Sequence, residues 1–192
     1  MNTRFKQFQD LHIQSENLDL HILDQSWSGE VLDYHVQNRA FFSFWNPIPR
    51  PRFWTQKFQE AKLKEDREAL LSKRQVKFWL FEQDDPPTII GHINYSNLVW
   101  GGFLSCFLGY SISQKHNGKG YATEAVSRSV KFMFEQAHLH RIEANIIPRN
   151  KASIRVVEKA GFEYEGRSTK YLKINGTWED HLHYVVRNHS LE

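Results

Sequence analysis

Residues 108–125 read Leu108-Gly109-Tyr110-Ser111-Ile112-Ser113-Gln114-Lys115-His116-Asn117-Gly118-Lys119-Gly120-Tyr121-Ala122-Thr123-Glu124-Ala125. A strand runs into a Gly-x-Gly loop, and the loop opens a helix of about Gly118 to Gln136. Ala122, Val126, Val130 and Met133 share one face of that helix. Glycines two apart let the backbone turn with positive φ and approach a ligand with no side chain between. The N–H groups freed at the helix start, together with the helix dipole, favour a phosphate. Lys115 and Lys119 add positive charge beside them. The physical reading is a diphosphate cradle, although a plain tight strand–helix turn would use the same spacing. A Walker loop is excluded because Lys119 is followed by Gly120, and a dinucleotide fingerprint because Thr123 stands where its third glycine belongs.

Upstream, Leu18, Leu20 and Ile22 alternate with Asp19, His21 and Leu23 as a first strand. Residues 27–40 have a helical pattern. Residues 41–51, Phe41 to Pro51, hold three prolines that forbid regular pairing and mark a loop. From Phe53 to Lys73 charged helix formers dominate, predicting a long solvated helix. A strand begins at Val76, a turn at Asp84-Asp85-Pro86-Pro87 reverses it, and Ile89 to Asn97 returns as a hairpin. Gly101-Gly102 turns the chain into the strand of about Phe103 to Ser113. Downstream, Ile142, Ala144 and Ile146 alternate, Asn150 to Ala160 is a short helix stopped by Gly161, and residues 162–174 and 177–187 flank Asn175-Gly176, a pair suited to a type I′ turn. The order β-α-α-β-β-β-α-β-α-β-β makes an α/β mixture in one sheet. It is a mostly antiparallel meander interrupted by one strand–helix–strand unit from 103 to 147. Ligands in such sheets sit where neighbouring strands splay or their order switches.

The 192 residues fit one domain, 1–192, with a sizeable core, and hydrophobic and aromatic shares of 40% and 14% argue against wholesale disorder. A net charge of +3 is too mild to select a partner. Basic residues along 56–73 are interleaved with acids and form no stripe, so sequence-specific nucleic-acid binding is not expected. One cysteine, Cys106, excludes an intramolecular disulfide and suits a cytoplasmic address. The first ten residues carry no apolar leader, and no stretch approaches the ~18 apolar residues of a membrane span. No membrane partner is expected.

Residues 115–120 resemble the acyl-CoA-binding motif of the GNAT acetyltransferases, Arg/Gln-x-x-Gly-x-Gly/Ala, with Lys115 at the first position. A second family signature, a strand, an Asn and a short helix ending in Gly-Phe, is matched by Asn150 to Phe162. Within that family the chain resembles the bacterial ribosomal-protein alanine N-acetyltransferases of RimJ/RimL type, through Gly109-Tyr110-Ser111-Ile112, His140-Arg141-Ile142, Gly161-Phe162-Glu163 and Gly176 to His181. Phe44-Trp45-Asn46-Pro47 and Ile90 to Asn97 point to the RimJ branch. The resemblance covers nearly the whole chain from about residue 17.

It implies the GNAT acyl-CoA N-acyltransferase fold, a mostly antiparallel central sheet flanked by helices and splayed at the acetyl-CoA site. It also implies acetyl-CoA as cosubstrate, with no metal. By the same resemblance the backbone of Tyr110 and Ile112 pairs with the pantetheine amides. The stretch Lys115, His116, Asn117, Gly118, Lys119, Gly120, Tyr121 and Ala122 holds the pyrophosphate, and Asn150 bonds the pantetheine arm. Many relatives place a tyrosine seven residues after the Asn to protonate the leaving thiolate; Val157 stands there, and Ser153, three residues after it, is the group implied instead. A serine in a first helical turn also caps backbone groups. The acceptor implied is the N-terminal amine of a ribosomal protein, an alanine of the small subunit, with ribosome association as a further possibility and the oligomeric state left open.

A free α-amine, with a pKa of ~7.7–8.0, needs no strong base. The carboxylate used by RimL falls at Leu172, leaving Glu143 and His92 as alternatives. Cys106 has no evident His or Asp partner, so a buried small hydrophobe is preferred to a covalent acetyl-enzyme, and direct transfer to ping-pong. The pairs His138/His140 and His181/His183 would each lie on one side of a strand wherever both members fall within it, but lack the further ligands of a metal site. The Phe41 to Trp45 rings suit a substrate wall or core packing. Two other functions share this fold: acetylation of a small amine (polyamine, amino sugar or antibiotic), and non-catalytic CoA binding in ribosome assembly.

Overall fold

The computed structural model describes residues 11–83 and 88–192. The chain runs through β1 (His12–Gln14), β2 (Leu18–His21), α1 (Ser28–Gln37), α2 (Arg39–Ser43), α3 (Gln56–Leu71), β3 (Val76–Glu82), β4 (Ile89–Val99), β5 (Ser105–Ile112), α4 (Tyr121–Ala137), β6 (Arg141–Ile146), α5 (Lys151–Lys159), β7 (Glu163–Ile174) and β8 (Thr177–Arg187). Among the described residues the strands form one sheet in the order β1-β2-β3-β4-β5-β6-β8-β7. Every neighbouring pair is antiparallel except β5 and β6. That parallel pair flanks α4, as the strand–helix–strand unit requires. The expected turn at 84–87 and the first ten residues lie outside the described residues.

Local chemistry sets the boundaries. The long charged helix starts at Gln56, not Phe53, because the Thr55 hydroxyl accepts the Phe58 N–H and Pro51 to Trp54 form a 3-10 turn first. Asn38 breaks the expected 27–40 helix in two, and α2 carries Phe41 and Phe42, so the predicted loop begins only after Ser43. The structure adds β1, whose three residues were too few to show a period. Asn175 and Gly176 both take positive φ, 44° and 84°, as a type I′ turn demands.

Two cores lie on opposite faces of the sheet. On one, Ala125, Val126 and Met133 of α4 and Ile154 and Val157 of α5 pack on Phe78, Ile93, Ile112, Ile142 and Ala144. On the other, Val31 and Tyr34 of α1 and Leu63 of α3 cover Trp79, Phe81 and Ile89. Alternation along β4 and β5 therefore sends Ile93, Tyr110 and Ile112 toward α4 and α5, and His92, Asn94 and Ser111 toward α1.

Candidate active site

Between β5 and β6 the pairing runs only from Ser105↔Arg141 to Leu108↔Ala144, although β5 continues to Ile112 and β6 to Ile146. Beyond Leu108 the two strands part. On its other side β5 stays paired with β4 as far as Gly91↔Ile112, and the Ser113 N–H donates to Ile90 O. Antiparallel ladders alternate, so Ser111 and Gly109 turn their N–H and C=O groups to β4. Tyr110 and Ile112 then present theirs to the gap, a free strand edge able to pair with an extended amide-bearing chain.

A cleft of about 840 Å³ passes through this gap and joins the two faces of the sheet. Toward α4 and α5 it is lined by Tyr110, Ile112, His116, Asn117, Gly118, Gly120, Tyr121, Ala122, Asn150 and Ser153, so ten of the twelve residues singled out from sequence meet in one place. The other two, Lys115 and Lys119, belong to the same loop but do not line the cleft. Lys115 is exposed, and Lys119 Nζ lies 3.3 Å from Glu82 Oε1.

The glycine loop is shaped as an anion cradle. Gly118 and Gly120 sit at φ 80° and 89°, where an L side chain is strained, and neither has a heavy atom within 4 Å of the place a Cβ would take. Residues 114–116 make a 3-10 turn, so α4 begins at Tyr121, three residues later than the spacing suggested. Its N-cap is Gly120, which offers no side-chain acceptor to the first-turn N–H groups. Those amides, with the helix dipole, are what an anionic phosphate needs. Ser113 Oγ meets His116 Nδ1 at 2.5 Å, and His116 Nε2 lies 3.7 Å from Glu82. Hydrogen bonds from Tyr121 and Lys119 hold the Glu82 carboxyl below its usual range.

In the first turn of α5, Asn150 Oδ1 accepts the Ser153 N–H at 3.1 Å, so Asn150 caps the helix. The Ser153 hydroxyl is thereby left free of capping duty. It lies 2.7 Å from the Tyr110 hydroxyl, which also reaches Ser153 O at 3.0 Å. Burial pushes the Tyr110 phenol up to about 12 against the pull of that bond.

The opposite half of the cleft is lined by Phe41, Phe42, Trp45, Asn46 and Pro47, by His92 and Asn94 of β4, and by Asn145, Leu172, Ile174 and His181. The 41–47 segment is fastened across the mouth. The Asn175 N–H donates to Asn46 O, Arg149 donates to Phe44 O, and the Arg149 guanidinium stacks 5.0 Å over Trp45 while pairing with Glu179. No Asp or Glu lines the cleft among the described residues. His92 Nδ1 and Asn94 Oδ1 are buried there without a hydrogen-bond partner. Burial, with Lys77 and His35 nearby, holds the His92 imidazole well below its ordinary value, so it is neutral.

Other candidates fall outside the cleft. Glu143 bonds Arg141 and His183, and these bonds overcome burial and hold its carboxyl low. Cys106 is 2% exposed, and burial raises its thiol to about 12, so it packs. His181 and His183 do share a face of β8, each against the Tyr171 ring, but His138 and His140 precede β6 and share no strand face. The described residues bring one group to ligand spacing, His12, Asp19 and His21 on the β1–β2 hairpin, where His12 Nε2 pairs with Asp19 at 3.1 Å. Sequence reasoning missed Asn94, Asn145 and the Tyr110 hydroxyl. The one available signal was on β4, where His92 and Asn94 place polar groups at alternate positions of an otherwise apolar strand.

The comparisons with known proteins agree with this geometry. Residues 30–163 match the acetyltransferase (GNAT) domain model. The chain is 35% identical over 172 residues to the [ribosomal protein uS5]-alanine N-acetyltransferase of Escherichia coli, covering 90% of this chain and 88% of that one. The crystal structure of the ribosomal-protein-S5-alanine acetyltransferase from Vibrio fischeri superposes with a TM-score of 0.90 at 31% identity, covering 95% of this chain and all (100%) of that one. RimJ of Mycobacterium smegmatis, solved in complex with CoA-disulfide, shares the fold with a TM-score of 0.84 at 23% identity, over 91% of this chain and 83% of that one. With a parted β5–β6 pair, a glycine-capped α4 and these relatives, the chain belongs to the GNAT acetyltransferase family and is an N-acetyltransferase.

Proposed function

We propose that this enzyme transfers the acetyl group of acetyl-CoA to the N-terminal α-amine of a protein in the cytoplasm, with an N-terminal alanine of a small-subunit ribosomal protein as acceptor. The observation that carries this reading is the acceptor half of the cleft, walled by aromatic rings and lined by amides and imidazoles with no carboxylate among the described residues. Polyamines and aminoglycosides are polycations, and a site built for them needs acidic partners. A single amine at the end of an extended peptide does not. The names of the Escherichia coli and Vibrio fischeri relatives point the same way.

The residues then divide the work. Free backbone groups of Tyr110 and Ile112 pair with the pantetheine amides of the donor, first-turn amides of α4 receive its diphosphate, and the Asn150 side-chain N–H₂ reaches the pantetheine arm. Lys115 and Lys119 contribute long-range charge, because neither lines the cleft. On the other face the His92 and Asn94 side chains line the path of the incoming amine and orient its lone pair through the gap. Neutral His92 does not repel that amine, and at a pKa of ~7.7–8.0 the amine loses its proton to water without a strong base. Ser153 donates to the departing sulfur. Attack is direct, within a ternary complex, since the buried Cys106 thiol stands outside the cleft.

A panel assay tests the acceptor. Acetyl-CoA is offered with ribosomal-protein N-terminal peptides, polyamines and aminoglycosides, and free thiol is measured. Turnover on Ala-starting peptides is expected. Turnover confined to polyamines or aminoglycosides would overturn the reading.

A further inference from the structure

We propose that the Tyr110 hydroxyl is a positioning residue for the leaving sulfur, acting through Ser153; the inference rests on the role given to Ser153 above. Three observations carry it. Tyr110 reaches from β5 to the first turn of α5 and places its hydroxyl 2.7 Å from Ser153 Oγ. Asn150 already caps that turn, and Tyr110 is the one hydrogen-bond partner of Ser153 Oγ among the described residues. Both side chains line the cleft where β5 and β6 part.

A serine inside a helix ordinarily turns its hydroxyl back onto a carbonyl three or four residues earlier, as Ser129 does onto Ala125 O at 2.7 Å. Ser153 is held away from that habit. A hydroxyl has one proton to give and two lone pairs to receive with. The one Tyr110 proton has two acceptors in reach, Ser153 O at 3.0 Å and Ser153 Oγ at 2.7 Å; given to the nearer Oγ, it releases the serine proton toward the cleft. Tyr110 stays a donor at any working pH because burial keeps its phenol protonated. During transfer the amine lone pair forms the new C–N bond and the C–S bond breaks, its electron pair passing to sulfur. Ser153 O–H then hydrogen-bonds that sulfur while Tyr110 O–H hydrogen-bonds Ser153. Both hydroxyls end protonated, and the proton lost by the amine goes to water and neutralises the thiolate. Polarised in series, two such bonds stabilise the charge more than Ser153 alone.

The test is a double-mutant cycle on kcat with Tyr110→Phe, Ser153→Ala and the pair combined. Tyr110→Phe keeps the ring and removes only the hydroxyl. It is expected to lower kcat about tenfold, with the KM for acetyl-CoA within about twofold of wild type. In the Ser153→Ala background the same change should cost less than about twofold, because its route to sulfur is already cut. As a second readout, the thiol of bound CoA should ionise at a lower pH on the wild type than on Tyr110→Phe, followed by thiolate absorbance. An unchanged kcat in Tyr110→Phe, or losses that multiply fully in the double variant, would overturn the inference while leaving Ser153 in place. An unchanged kcat in Ser153→Ala would remove the reading beneath it as well.

Discussion

In the half of the cleft that we assign to the donor, the lining residues come mainly from two short runs of chain, 110–122 and 150–156, with the bare backbone of Gly118 and Gly120 among them. In the half that we assign to the acceptor they come from α2 and the segment after it, and from β4, β6, β7 and β8. The donor half needs a free strand edge and a glycine-capped helix, which tolerate many surrounding sequences. The acceptor half needs a ring here and an amide there, held by contacts such as Asn175 N–H to Asn46 O. A single fold can therefore keep one cosubstrate while its acceptor changes.

If the halves are this separate, each can be damaged alone. The largest effect is expected from Gly120→Val. A branched residue at φ 89° is strained by about 1–2 kcal/mol, and its methyls would stand where the diphosphate approaches. The KM for acetyl-CoA should rise about tenfold or more while the acceptor KM holds. Parallel loss of both affinities would show that the halves are coupled.

The next contrast is pH. His35 and His92, both on the α1 face behind the acceptor half, are held low by burial first and Lys77 second, His35 to about 3. Their folded values lie below the unfolded 6.5, so on acidification the unfolded chain binds protons first. The stability they confer is fully present above pH 6.5 and is lost as pH falls from there toward the folded values. Melting temperature should drop by about 3 °C or more between pH 7 and 5, and His92→Gln should flatten that slope. An equally steep slope in the variant would take His92 out of the account.

The smallest effect concerns the rim of the loop. Glu82 holds Lys119 at 3.3 Å and places a negative charge beside the cradle. Glu82→Gln should lower the KM for acetyl-CoA by less than about threefold, since exposed pairs contribute little. Calorimetric titration with CoA checks it, and weaker binding would mean that Glu82 shapes the loop more than it repels the ligand.

The backbone that frames the proposed donor half was legible in the sequence because its conformational preferences are local. Gly118 and Gly120 mark positive φ, Asn150 marks a helix start, and Asn175-Gly176 a hairpin turn, each by a preference that acts within a few residues. Where Lys115 and Lys119 turn was not legible, since charge near a loop in sequence says nothing of the direction a long side chain takes, and neither lines the cleft. Asn38 splitting the first helix, and Thr55 starting the third, were decided by hydrogen bonds that no period reveals.

By itself, then, the sequence determined the order of elements, the glycine-opened helix and the family, because short-range backbone preferences and hydrophobic alternation are written in neighbouring residues. Only the tertiary structure decided that β5 and β6 part after Leu108 and Ala144, that His92 and Asn94 line the cleft with His92 Nδ1 and Asn94 Oδ1 unpartnered, and that Tyr110 touches Ser153 across 43 positions of chain. Those contacts depend on how distant segments pack, and packing is settled by the whole core at once.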